Sequence, residues 1–431
     1  MVVVGIRVVV PASHLKARAI KLTAHRRPKP QVSRGESERM NEYGAYRAAF
    51  EGRELPTAFV DRAALAANIA RTADRAGGLP VRVASKSVRC RAALERILSE
   101  DGFEGVMCYT GREAVDLANA GFDDLLVAYP VVGDAELRAV AERVAEGADI
   151  TLMVDCAEHV ERIANAAEKA GADVPLCLDL DCSTEHFGVY FGVRRSPIRT
   201  PEDALAVAET VTEASGVRLT GLMGYEAQIA GLPDRNPANG GLENAAMRLF
   251  KQRSKPLVRK RRQAVAAALD DEYGLEFVNG GGTGSVEFTR EDPHVTEVTV
   301  GSGFFAPRQF DWYDHLDYEP AAGYAIEVTR EPTDGVYTCR GGGYVASGPV
   351  GPDKAPVPWL PEGAELLDNE GAGEVQTPVR YDGDLAVGDP VVMRHGKAGE
   401  LCRFFEELAV VDGEEVVDTW STYRGDGRCY I

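Results

Sequence analysis

Lysine is scarce in this 431-residue chain, and positive charge is in deficit overall. Against 67 Asp and Glu stand 48 Lys and Arg, for a net charge of −19. That balance argues against nucleic acid as a partner, since phosphate recognition needs a basic face. No apolar run reaches the ~20 residues of a membrane helix, so no membrane partner is expected and the chain reads as soluble. None of the eight cysteines (90, 108, 156, 177, 182, 339, 402 and 429) forms a Cys-x-x-Cys pair, which removes the usual zinc and dithiol patterns. Buried free thiols in a reducing cytosol are the expectation, and with them a cytoplasmic location. The acidic, lysine-poor body also fits a halophilic cell, where salt screens its self-repulsion.

The deficit is uneven. Residues 1–39 hold nine Lys/Arg and two Glu, a charge of +7 that leaves −26 on the remainder. This stretch is expected to be a non-native or disordered extension upstream of Met40. The alternative is a targeting segment, but its apolar runs at 2–6 and 8–11 are short and lack signal-peptide order.

What is present is a regular alternation. Apolar runs at 81–86, 105–110, 125–130, 149–155, 175–181, 219–226, 276–282 and 297–303 read as strands buried on both faces. Between them lie helical stripes, such as Leu137, Val140, Ala141 and Val144, or Val160, Ile163, Ala164 and Ala167. Thr200-Pro201 opens another, and Gly171 closes one. Eight strands with seven intervening segments predict an α/β fold, a (β/α)8 TIM-like barrel over 40–318 with a lead-in at about 40–60. A doubly wound open sheet is the runner-up. From 319 to 431 the pattern turns to period two, with strands at 324–329, 335–339, 343–346 and 390–393, and predicts a C-terminal antiparallel β domain. Residues 351–375 read as a loop in it. The basic cluster from Lys251 to Arg262 reads as a solvated helix face.

Function in such a barrel collects at the C-terminal ends of the strands. Lys86 ends the first. A lysine at the end of a buried strand is costly unless used, and one use is attack on a carbonyl by a desolvated amine. Asn279-Gly-Gly-Gly-Thr283-Gly284 follows strand seven, the barrel's phosphate position, where glycines let backbone N–H groups approach phosphate oxygens. An amine and a phosphate cradle on one rim point to pyridoxal 5'-phosphate. Tyr109, Tyr129, Asp155, Asp179, Asp181, Tyr225 and Glu226 end other strands on that rim.

Taken together, Ser85-Lys86-Ser87, Gly281-Gly-Thr-Gly284, Gly301-Ser-Gly303 and a trailing β domain resemble the fold-type III pyridoxal phosphate enzymes, the alanine racemase-like barrels. Within them the chain looks closest to the D-threonine aldolase and D-serine dehydratase branch, and Arg394-His-Gly-Lys-Ala-Gly-Glu400 and Thr422-Tyr-Arg-Gly-Asp-Gly427 resemble proteins labelled amino acid deaminase/aldolase. The resemblance implies that Lys86 joins the cofactor through an imine. Gly281, Gly282, Thr283 and Gly284, with Gly301 and Ser302, would bind the phosphate, Tyr225 would lie near the ring, and Arg195 would reach it. A small amino acid substrate and a homodimer are implied as well. That branch holds a divalent metal on a His-x-Cys or His-x-Asp pair. Here the pair is His395-Gly-Lys397, and an ammonium cannot ligate a cation. No metal is expected, with His395, Glu400 and Cys402 left as the alternative ligands, and Lys397 is a candidate for the missing charge.

The expected activity is a lyase on a D-configured β-hydroxy amino acid, with Lys86 as base on one face and His395 as acid or base for the β-hydroxyl. The alternatives are a racemase using Lys86 and Tyr423, and a non-catalytic pyridoxal phosphate-binding protein.

Overall fold

The computed structural model describes residues 36–348 and 351–431. The expectation for residues 1–39 falls outside them, except that 36–39 begin the helix Glu36–Ala49.

Eight parallel strands close into a barrel: Val81–Ala84, Phe103–Cys108, Leu125–Val127, Ile150–Val154, Val174–Asp179, Val217–Gly224, Phe277–Gly280 and Glu297–Val300. The eighth pairs with the first, Val298 opposite Val81, so the open-sheet alternative is excluded. Every expected barrel strand is present, each ending earlier than its apolar run. The residues after each strand form the rim instead.

The helices follow their stripes. Thr200 caps Pro201–Glu213 with a reciprocal capping box, worth about 1 kcal/mol, and Gly171 ends Ala157–Ala170 in the left-handed region. Between strand eight and Ala322 come only the short helix Ser302–Phe305 and the 3-10 turn Arg308–Trp312 among the described residues. The helix Arg62–Ala76, which precedes strand one, packs against that short helix and closes the outer ring. Inside the barrel, Leu126, Ala128, Met153, Cys177 and Met223 form an apolar layer. Below them the buried Arg82 of strand one makes paired bonds to Glu297 (2.7 and 2.8 Å) and Asp124 (2.8 and 3.0 Å), a polar plug at the end away from the rim.

The second unit is a nine-stranded sheet. Its long strand Ala322–Thr333 pairs with Val336–Arg340, with Pro390–Arg394 and with Thr57–Asp61. Residues 57–61, expected as a lead-in to the barrel, thus belong to this sheet. They also pair with Glu407–Asp412, the one parallel register among its described strands. Two local expectations are corrected. Residues 343–346 are not a strand: Gly341 and Gly342 take positive φ, and a side chain at Gly343 would meet the Gly373 backbone. The expected loop 351–375 contains the strand Val357–Leu360, which pairs with Pro390–Arg394.

No helix among the described residues is long and apolar enough to cross a membrane. The cysteines are free, six of them buried.

Candidate active site

Lys86 lies two residues past its strand, in the 3-10 turn Ser85–Ser87. Ser85 anchors the turn by donating to the Met107 carbonyl at 3.0 Å. The half-buried Lys86 amine donates to the Tyr129 hydroxyl at 3.1 Å. The guanidinium of Arg195 lies 5.0 Å from the Tyr129 ring and 5.8 Å from the Tyr225 ring. Burial acts to raise the Tyr129 phenol, but the charges of Lys86 and Arg195 outweigh it and hold the phenol below its ordinary value. Arg195 is fixed by Asp179 (2.7 Å) and by the Ala128 carbonyl (2.6 Å). Burial pushes Asp179 up to about 6 despite that pairing. Lys86, Tyr129, Arg195, Asp179 and Tyr225 thus form one connected group on the rim.

The glycine loop faces it. Gly281 takes φ +89°, and a side chain at Gly282 would lie 3.1 Å from the Tyr225 ring. A methyl on Gly284 would collide with the Ala230 carbonyl, and one on Gly301 would lie 2.8 Å from the Ala84 side chain. Thr283 accepts from the Gly303 N–H at 3.1 Å, and Ser302 bonds Ser87 at 3.1 Å, so the loops after strands seven, eight and one are tied together. Among the described residues the N–H groups of Thr283 and Gly284 have no partner.

Behind the loop sits Glu226, fully buried at the end of strand six. It accepts from the Gly281 N–H (3.3 Å), Ser285 (2.7 Å), Thr289 and Arg262 (3.1 Å). Arg262 is also fully buried and bonds Asp292 at 2.9 Å. The reading of the Lys251–Arg262 cluster as a solvated face is therefore corrected at its two ends. Arg262 is a core ion pair, and the buried Lys251 pairs with Asp234 at 2.7 Å. A charge run shows its sign in the sequence but not its partners.

From the β sheet come His395, Lys397 and Tyr423. His395 is buried, and among the described residues neither ring nitrogen has a hydrogen-bond partner of normal geometry. Burial, then the charge of Arg394, pushes it down to about 4. Lys397 is half-buried and donates to Ser347 at 3.2 and 3.4 Å. The Tyr423 phenol is buried and donates to Glu113 at 2.9 Å, away from the Lys86 amine's own bond to Tyr129. Glu113 was not singled out from sequence. Its signal was Thr110-Gly-Arg-Glu113, the spacing of a capping box, although Glu113 reaches the Tyr109 N–H at 2.8 Å instead of its cap.

Residues 60–308 match the family described as alanine racemase, N-terminal domain. The chain belongs to that family. A curated relative, 3-hydroxy-D-aspartate aldolase of Paracoccus denitrificans (strain Pd 1222), is 25% identical over 254 residues. The match spans 58% of this chain and 60% of the relative, less than two thirds of its length. D-threonine aldolase from Filomicrobium marinum has the same fold, with TM-score 0.72 at 22% identity over 86% of this chain and 95% of that one. So does a D-threo-3-hydroxyaspartate dehydratase mutant in its metal-free form, with TM-score 0.68 at 19% identity over 87% and 98%.

Two groups follow from this alanine racemase-like fold, and the residues answer differently for each. Pyridoxal phosphate fits: an amine stands at the mouth, and opposite it is a cradle with two unused N–H groups that side chains would fill. A divalent metal at His395 does not fit. The residue two positions on is an ammonium, and His395, Glu400 and Cys402 do not bring three ligand atoms together. Among the described residues, the one cluster of three potential ligands is Asp155, Cys156 and His159, after strand four.

Proposed function

We propose that this chain is a pyridoxal phosphate-dependent lyase acting on a D-configured β-hydroxy amino acid. The single observation that carries this is the Lys86 amine on the same rim as a glycine cradle with two unused N–H groups. The named relatives, aldolases and a dehydratase of hydroxy amino acids, support the substrate class. When bound, pyridoxal phosphate supplies an electron sink for a bond at the substrate's Cα.

The protein's own groups do the rest. Lys86 would hold the cofactor and would serve as the base on one face of Cα. Thr283, Gly284 and Ser302 bind the phosphate through N–H and hydroxyl groups. Tyr129 orients Lys86, while Asp179 orients Arg195 toward the ring. Tyr225 walls the cavity beside Gly282. A homodimer and a cytoplasmic location belong to the same reading, which solution mass and cell fractionation would check.

The test is the absorption spectrum of the purified protein with pyridoxal phosphate, for wild type and Lys86→Ala, before and after borohydride. The wild type should show an imine band that borohydride abolishes while adding the cofactor's mass to the Lys86 peptide. Lys86→Ala should lack both. D-threonine, D-serine and D-alanine are then assayed for aldehyde, pyruvate and the L-isomer. Aldehyde or pyruvate supports the lyase. An L-isomer alone would replace it with a racemase, and no imine band would remove the cofactor reading altogether.

A further inference from the structure

The segment His395–Cys402 is a part of the β sheet unit that reaches the Lys86 turn. A side chain on Gly399 would lie 2.6 Å from the Ser87 carbonyl oxygen and 2.8 Å from the Val88 nitrogen, so the two backbones touch. The Cys402 thiol donates to the Val88 carbonyl at 3.2 Å. On the other side, the Arg308 and Gln309 N–H groups hold the His395 and Gly396 carbonyls at 3.0 and 3.2 Å, and Arg394 donates to the Ala306 carbonyl at 3.0 Å. Lys397 is thereby fixed between the Lys86 turn and the chain leaving strand eight.

Its ammonium is underused there. Both its acceptors are neutral oxygens of Ser347, at long range, and among the described residues no carboxylate forms a salt bridge with it. The neighbouring Lys354, by contrast, is paired with Asp353. Lys86 is one of the charges that Lys397 senses, after burial, Glu400 and Lys354. A half-buried cation with spare donors, on the segment that abuts the Lys86 turn, is arranged to meet an oxygen of a substrate bound there.

We propose that the Lys397 ammonium binds the oxygen on the substrate's Cβ, so that this chain selects β-hydroxy amino acids without a divalent metal. This rests on the lyase reading above. Once a substrate's amine had displaced Lys86 from the cofactor, its Cα would lie near the freed amine and its Cβ substituent would be free to reach a neighbouring donor. A charge-assisted hydrogen bond discriminates between substrates with and without that oxygen.

The test uses the holoenzyme. Metal content is measured after dialysis against a chelator, and turnover of the best β-hydroxy D-amino acid is compared before and after. Lys397→Met and Lys397→Arg are assayed alongside, and D-alanine, which lacks the oxygen, is titrated by its effect on the cofactor band. The wild type should hold no stoichiometric metal and keep its turnover. Lys397→Met should lose about ten- to a hundredfold in kcat/KM on the hydroxy substrate, with D-alanine affinity unchanged and partial recovery in Lys397→Arg. One metal ion per chain with chelator-sensitive turnover would overturn the proposal, as would equal losses on both amino acids. A wild type with no imine band would sink the lyase reading itself, an outcome the spectrum distinguishes from the other two.

Discussion

The two sides of the barrel mouth are built on opposite terms. The glycine loop after strand seven is held from behind by Glu226, which takes four hydrogen bonds in full burial and is itself held by Arg262. The Lys86 turn opposite is anchored through Ser85, but its amine is half-buried and has one hydrogen bond, to an exposed-edged tyrosine. The phosphate side is preorganised, so that little freedom is lost when an anion binds. The amine side keeps its reactive group free of strong partners, since a lysine locked to a carboxylate could not exchange bonds with a substrate. Rigidity is concentrated where binding happens, and looseness where covalent partners change.

The strongest way to break this contrast is to remove the rigid side's support. Arg262→Met leaves Glu226 and Asp292 buried without their cation. Stability should fall by about 3 to 5 kcal/mol, the cost of orphaning a buried charge, and urea unfolding measures it. Loss of the cradle should weaken cofactor affinity in whatever fraction stays folded. An equally large change in Arg262→Met stability in a Glu226→Gln background would show that the pair is not coupled.

The loose side predicts the reverse. Tyr129→Phe removes the hydroxyl that receives the Lys86 amine, at an edge where solvent replaces it. Stability should hold within about 0.5 kcal/mol, as for surface changes generally. Borohydride labelling of Lys86 should persist, while kcat falls about tenfold through lost orientation of the amine. A drop in stability comparable to Arg262→Met would erase the distinction between the two sides.

The contrast also explains what was legible in the sequence. Lys86 stood out because a cation after a buried strand has few structural excuses, and the glycine loop because its spacing follows a strand. The barrel strands were readable from continuous apolar runs, and the rim from their ends. Arg262 was not readable. Its partners lie far along the chain, and within the helix Gly241–Tyr273 it is one of many basic residues. Tyr423 was assigned to the chemistry because a tyrosine near the C-terminus was available, but where its hydroxyl points depends on the fold. The strand Thr57–Asp61 looked like an approach to the barrel. Its membership of the other sheet is decided by pairing with residues more than 250 positions away. Local pattern identifies elements and isolated costly residues, while the partners of buried charges and edge strands are long-range facts.

Glu113 sits between the two regimes, and its predicted effect is confined to one pH range. It lies behind the Lys86 turn, accepting from the Tyr109 N–H at 2.8 Å and the Tyr423 hydroxyl at 2.9 Å. Burial pushes its carboxyl up to about 7, against those bonds and the charge of Arg89. In the unfolded chain the same carboxyl titrates near ~4.3. Between these values the fold holds a proton that the unfolded chain has released. Its contribution to stability is whole below the unfolded value and is lost as pH rises through about 7. Glu113→Gln removes the titration, so the stability of wild type relative to the variant should decline by about 2 to 3 kcal/mol as pH is raised from about 5 to about 8. Urea unfolding of both proteins across that range measures it. A constant difference would mean that Glu113 is already ionised in the folded protein. The base of the Lys86 turn would then be a charged, bonded network like the one beneath the glycine loop, and the contrast between the two sides would rest on the amine alone.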